Sequence, residues 1–261
     1  MTFIDELQEL QVRRKFYISV ANKQSNAAKA LIRRALGQQW TDDEEVRAKS
    51  SARASRIYSA AINGKPQKPE DEAVAELLAA DLVVIAQTVE IVDKARHQVE
   101  LQMKRIVRQF PVYPWAEQVH GFGELGLAVV IAEAGDLSAY PKKGHVWKRF
   151  GLAPFESRAF STWRMKGGLS ADEWKTAGYS PKRRGEIHGV VSDPLFRQQT
   201  VVKGRYRQIY DERRARFSAA NPDLRPAHLH QDALRIMTKA LLRDLWAAWR
   251  GIGPVTTLGR A

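Results

Sequence analysis

The chain has 261 residues and no cysteine, which excludes disulfide frameworks, zinc knuckles and thiol catalysis. A formal net charge of +13 and a pI near 10.0 favour a polyanionic partner, nucleic acid ahead of a membrane surface. The most apolar stretch, AVAELLAADLVVIAQTVEIV, is interrupted by Glu76, Asp81 and Glu90, so no membrane span is expected.

The first residues, MTFIDELQELQ, carry acids before any cation and lack an unbroken apolar run. They do not read as a signal peptide, and a cytoplasmic setting is the expectation. Phe3, Leu7, Leu10, Tyr17 and Val20 are spaced as one face of an amphipathic helix. A polar break is expected over residues 22–26, then a second helix to Gly37. Thr41-Asp-Asp-Glu44 has the form of a capping box opening the next helix. The turn-rich NGKPQKP, residues 63–69, reads as a linker.

After the linker, alternate steps of four and three from Leu78 meet Leu82, Ile85, Val89, Val92, Arg96, Val99, Met103, Ile106 and Phe110. All but Arg96 are apolar, the pattern of a heptad seam. No Gly or Pro falls between Glu70 and Gln109, so one helix of about 60 Å is expected, paired with its own chain or joining protomers into a homo-oligomer through residues 78–110.

Pro111 and Pro114 end that helix, and the charge changes with them. Lys and Arg number 18 against 15 acids through Phe110, but 24 against 14 from Pro111 onward. The densest run spans residues 140–185 and includes Lys142, Lys143, Lys148, Arg149, Arg164, Lys166, Lys182, Arg183 and Arg184. An excess of this size on a short segment points to phosphate contacts. Ser170-Ala-Asp-Glu173 is a second capping box, and Asp193-Pro194 reads as an N-cap with Pro at the first helical position, opening a helix to about Ala220. A last amphipathic helix runs from Pro226 to about Arg250. With no period-two alternation, the expected fold class is all-α: a helical region over 1–62, a long coiled-coil-like helix over 70–110, and a helical DNA-binding domain over 111–261.

Within VHGFGELG, Gly121, Gly123 and Gly126 spell G-x-G-x-x-G. A dinucleotide site needs a buried strand before the first glycine and an acid about 20 positions after it. Here QFPVYPWAEQ, with two prolines, precedes it and Pro141-Lys142-Lys143 follows, so no cofactor is expected. Helix, glycine turn, helix fits better: positive φ at the glycines leaves backbone N–H groups open to a phosphate. Close packing of two helices is the alternative use of the same residues.

The segment VHGFGELGLAVVIAEAGDLSAYPKKGHVWKRFGLAP, residues 119–154, resembles the helix-hairpin-helix region of the C-terminal transposase domain in DEDD-type, bridge-RNA-associated insertion-sequence transposases. PKRRGEIHGVVSDP and the last helix are similar in order and length to that domain, and the long helix resembles the family's stem. The resemblance implies binding to DNA, ahead of RNA, in transposition or recombination.

It also implies features this chain lacks or alters. The family's nuclease sheet, with metal-holding carboxylates, has no counterpart in the helical N-terminal region. The acid clusters 42–45 and 70–72 sit at helix starts, so no metal site is expected. The family's serine nucleophile, usually followed by glycine, corresponds only loosely to Ser157 or Ser161, neither followed by glycine. Catalysis is not assigned: an active serine recombinase using Ser161 or Ser157 is one alternative, and a non-catalytic helical assembly protein another. His228-Leu-His230 with Asp232 reads as surface or capping residues, because i and i+2 side chains on a helix diverge. Trp147 and Trp163 are interleaved with cations, the mixture used to stack on bases or brace a phosphate; core packing is the expectation ahead of that for Trp147, and exposure or an interface for Trp163.

Overall fold

The computed structural model describes residues 2–153, 170–176, 178, 180–198 and 204–251. The chain is all-α, and every regular element among the described residues is helical. In order these are α1 Phe3–Ala35, α2 Glu44–Ile62, α3 Pro69–Leu77, α4 Ala79–Val107, α5 Tyr113–Glu117, α6 Gly123–Ala134, a 3-10 turn Leu137–Ala139, α7 Lys143–Arg149, α8 Ala171–Thr176, α9 Pro181–Ile187, a π turn His188–Ser192, α10 Asp193–Gln198, α11 Arg205–Ala220 and α12 Pro226–Trp249. None of the described helices is long and apolar enough to cross a membrane.

Two compact units emerge: Val12–Leu101, and Met1–Gln11 together with Gln102–Ala261. The divisions fall inside α1 and α4.

In the unit Val12–Leu101, three helical faces close one small core. Ala28 and Ile32 of α1, Ala54 and Ile57 of α2, and Leu82 of α4 are buried together, with Leu36, Tyr58, Val74, Leu78 and Ile85 packed against them. The spacings of three and four put each set on one stripe of its helix. Asp71, fully buried, ties α3 to α2 by accepting from Arg53 Nε and Arg56 Nε, both at 2.7 Å. Arg14 Nε lies 2.9 Å from Glu100, joining α1 to α4.

Three expectations about this region need correction. α1 runs unbroken through residues 22–26, because that polar run contains no Gly or Pro and Ser25 faces inward, 2.7 Å from the Tyr58 hydroxyl. The N-cap of α2 is Asp43, which accepts from Val46 N at 2.8 Å, two residues later than the expected box. The long helix steps at Leu78 (φ −105°, ψ 11°), dividing α3 from α4. Packing of Leu78 on the α1–α2 core and the clamp on Asp71 outweigh the uninterrupted helical propensity across the step. Along the heptad seam, Leu82, Val99, Met103, Ile106 and Phe110 are buried within the chain itself.

The other unit is built on α6 and α12. In α6, Leu127 to Ala132 are all buried, and its helix is apolar all round because α5, α9 and the π turn surround it. Leu234, Met237, Leu241, Leu242 and Leu245 form the buried stripe of α12, which packs on α11, α7, α5 and the π turn. The Phe110 ring stacks between Phe3 (6.3 Å) and Trp249 (5.6 Å).

Asp193 does not cap a new helix: it lies in αR conformation at the end of the π turn, within a run that begins at Ser180. Ser180 is the N-cap, accepting from Arg183 N, with Pro181 at the first helical position. Pro194 has no N–H to give the ladder, and the wider π turn just before it is one way a helix absorbs that loss. The buried Ser192 and Thr238 hydroxyls, 2.7 Å apart, fasten this turn to α12.

Candidate nucleic-acid interface

The glycine turn lies between α5 and α6, as helix, turn, helix. Gly121 (φ 88°) and Gly123 (φ 60°) adopt the left-handed conformation that favours glycine. Val119 and Phe122, both buried, anchor the turn from inside. Gly126 has a different role from the one expected of it. It is buried in the first turns of α6, and a Cβ there would stand 3.1 Å from the Phe122 ring. Its use is close packing, and a phosphate has no path to it.

The mouth of the turn is already occupied by an acid. Glu124, in the first turn of α6, accepts from Arg108 Nε and from the Tyr113 hydroxyl at 3.0 Å. The Arg108 hydrogen bond holds the Glu124 carboxyl below the usual carboxylate range. A carboxylate fixed at a helix start is stabilised by the exposed N–H groups.

The segment after α6 serves mainly to hold α12. Gly135 ends the helix at φ 79°, and Asp136 accepts from Ser138 N (2.8 Å) and from Trp249 Nε1 (2.9 Å). The Tyr140 hydroxyl donates to Ala134 O at 2.7 Å, while Tyr140 O accepts from Trp246 Nε1 at 2.9 Å. This clamp delivers the chain to Lys142 and Lys143 on the surface.

The predicted cations then separate into two groups. Lys142, Lys143, Lys148 and Lys182 are exposed and make no ion pair among the described residues. Arg149, Arg183 and Arg184 each donate to the fold, Arg149 while remaining exposed and without an ion pair among the described residues. Arg149 Nε donates to Glu133 O at 2.9 Å, and Arg183 donates from Nη1 to Arg149 O at 3.2 Å while its Nε lies 3.5 Å from the buried Glu133 carboxylate. Arg184 donates to Gly151 O. These three arginines pin the end of α7 to α9 and α6. Arg164, Lys166, Ser157, Ser161 and Trp163 lie outside the described residues. Ser170 and Glu173 do form the expected reciprocal box at the start of α8, Ser170 N donating to Glu173 Oε2 at 2.6 Å and Glu173 N to Ser170 Oγ at 3.3 Å.

Residues on α12, absent from the sequence-based set, complete the cationic surface beside α7. Trp147 Nε1 donates to Lys239 O at 2.9 Å, and Lys239 Nζ stands 4.2 Å from the centroid of the same indole. Lys143 Nζ is 5.9 Å from that ring. Burial and then the neighbouring Arg235 hold Lys239 below the ordinary lysine range. The legible signal was the four-residue spacing of Arg235, Lys239 and Arg243 on one helical stripe.

The histidine pair has other partners. His230 Nδ1 lies 2.6 Å from the Tyr210 hydroxyl, and Asp232 is shared by Arg213 and Arg235. No group of three or more potential metal-ligating side chains forms among the described residues. Compared with family models, curated proteins and solved structures, the chain matches none of them.

Proposed function

We propose that this chain binds nucleic acid, DNA ahead of RNA, by gripping the phosphodiester backbone, as a transposition or recombination protein derived from the C-terminal half of an insertion-sequence transposase. The observation that carries the reading is the set Lys142, Lys143, Lys148 and Lys182, four exposed cations that make no ion pair among the described residues, while Glu133 and Asp136 are engaged with the fold. Ammonium groups left uncompensated by their own protein are the footprint of a polyanion. Contacts of this kind do not touch base edges, so sequence preference is weak.

Reversing all four lysines to Glu tests the reading. The variant should keep the wild-type helical circular dichroism and lose duplex DNA binding by about 100-fold or more at moderate salt. Unchanged binding would remove the basis of the proposal.

A homo-oligomer through the same long helix is part of the proposal, on its exposed face instead of the heptad seam. Val84 and Ile91, seven residues apart, are 62% and 68% exposed. An antiparallel second copy that sets Val84 against Ile91 also brings the exposed Asp81 to Lys94, whose ammonium lies 2.6 Å from Glu90 of its own helix. Sedimentation of wild type against Val84→Glu/Ile91→Glu reads this directly: the variant should be the smaller species, and equal mass contradicts the pairing.

A further inference from the structure

We propose that Lys239, Trp147 and Lys143 form a phosphate seat between α7 and α12, taking a phosphodiester of the bound nucleic acid. The inference rests on the nucleic-acid reading above and names where one phosphate is held. Three observations converge on it.

First, the seat is built, not a chance of flexible lysines. The indole of Trp147 is fixed by its hydrogen bond to Lys239 O, and α7 and α12 pack directly together. The ring in turn positions the Lys239 ammonium at 4.2 Å from its centroid. A cation over an aromatic face is held by the ring quadrupole without being neutralised, so its charge and its N–H donors remain available.

Second, no anion for this charge is found among the described residues. Neither Lys239 nor Lys143 makes an ion pair there, and each amine lies over the same ring. The acid that acts electrostatically on Lys239 is Asp232, whose oxygens are already taken by Arg213 and Arg235. Arg235 adds to the positive field at the seat. Arg235 and Lys239 repel one another in the free protein, and an incoming phosphate relieves that repulsion.

Third, the geometry selects phosphate over base. The indole face under Lys239 is covered by an ammonium, so a nucleobase cannot stack there. Lys142 and Lys148 extend the cationic surface along α7, where neighbouring phosphates of the same strand would follow.

The test compares wild type with Lys239→Gln, Lys239→Arg and Lys143→Gln, measuring duplex DNA affinity across a salt series, with melting temperature as the check on folding. Lys239→Gln should weaken binding on the order of tenfold and flatten the log affinity against log salt slope by about one, whereas Lys239→Arg should retain both. Lys143→Gln, at an exposed position that leaves the fold intact, should flatten the slope in the same way. If the Gln variants bind with wild-type affinity and slope while the four-lysine reversal has lost binding, the seat is overturned and the nucleic-acid reading stands. If wild type itself does not bind duplex DNA, both fall. Titrating inorganic phosphate separates a free-anion site from a strand contact: millimolar phosphate should compete only weakly, because one phosphate lacks the neighbouring contacts along α7. Competition as strong as that of DNA would overturn the strand assignment.

Discussion

At Asp71 a fully buried carboxylate is held by two arginines, each contact at 2.7 Å. The Arg56 hydrogen bond foremost, and Arg53 with it, keep the carboxyl below its usual value. A lowered folded-state value contributes stability that is present above the unfolded value near pH 4 and is lost as the pH falls through the lowered one. Asp71→Asn should therefore lower the urea midpoint of the Val12–Leu101 unit by about 0.5–1 M at neutral pH. The gap from wild type should close in strong acid; a constant gap would assign the effect to packing alone. The glycines divide in the same residue-by-residue way. Gly126→Val drives a branched side chain against the buried Phe122 ring and should destabilise by about 1–3 kcal/mol, while the folded fraction keeps its DNA affinity. Loss of affinity without loss of stability would return Gly126 to the binding site. Sequence letters alone cannot make that distinction, because G-x-G-x-x-G is silent about which glycine faces inward.

Among the elements, helices with strong apolar spacing were legible and their joints were not. The buried stripe of α12 and the capping box of α8 follow from spacing and local hydrogen bonding, both of which act within a few residues. The step at Leu78, the continuity of α1 and the run from Ser180 through Asp193 depend on long-range packing: Leu78 answers to the α1–α2 core, Ser25 to Tyr58, and Ser192 to Thr238. No local pattern encodes those partners. The last pair gives a test at this scale. Thr238 is fully buried, with its hydroxyl 2.7 Å from Ser192 Oγ and 2.8 Å from Leu234 O. Thr238→Val removes the hydroxyl that donates to Ser192 Oγ, leaving Ser192 its own bond to Ile187 O at 3.2 Å, and should cost about 1–2 kcal/mol by chemical denaturation. A neutral effect would mean that the π turn is held by its apolar neighbours, Val191 and Ile187, without the hydroxyl pair.

Across the whole molecule the charge imbalance was readable from composition, yet composition did not say which cations are free. Arg149, Arg183 and Arg184 looked equivalent to Lys142, Lys143 and Lys148 in the sequence, and the arginines donate to the fold, pinning α7 to α6 and α9. Lys239 went unnoticed because its partner, Trp147, is 92 positions away. The proposed binding surface is narrower than the basic segment: lysines of α7 and α9, with the proposed seat on α12. The salt dependence of wild-type binding measures most directly whether these lysines meet phosphates. With about four phosphate contacts, affinity for duplex DNA should fall roughly 100-fold between about 50 and about 200 mM salt, with little change between unrelated sequences. Absence of binding at the lower salt, or an affinity that does not respond to salt, would contradict the proposal.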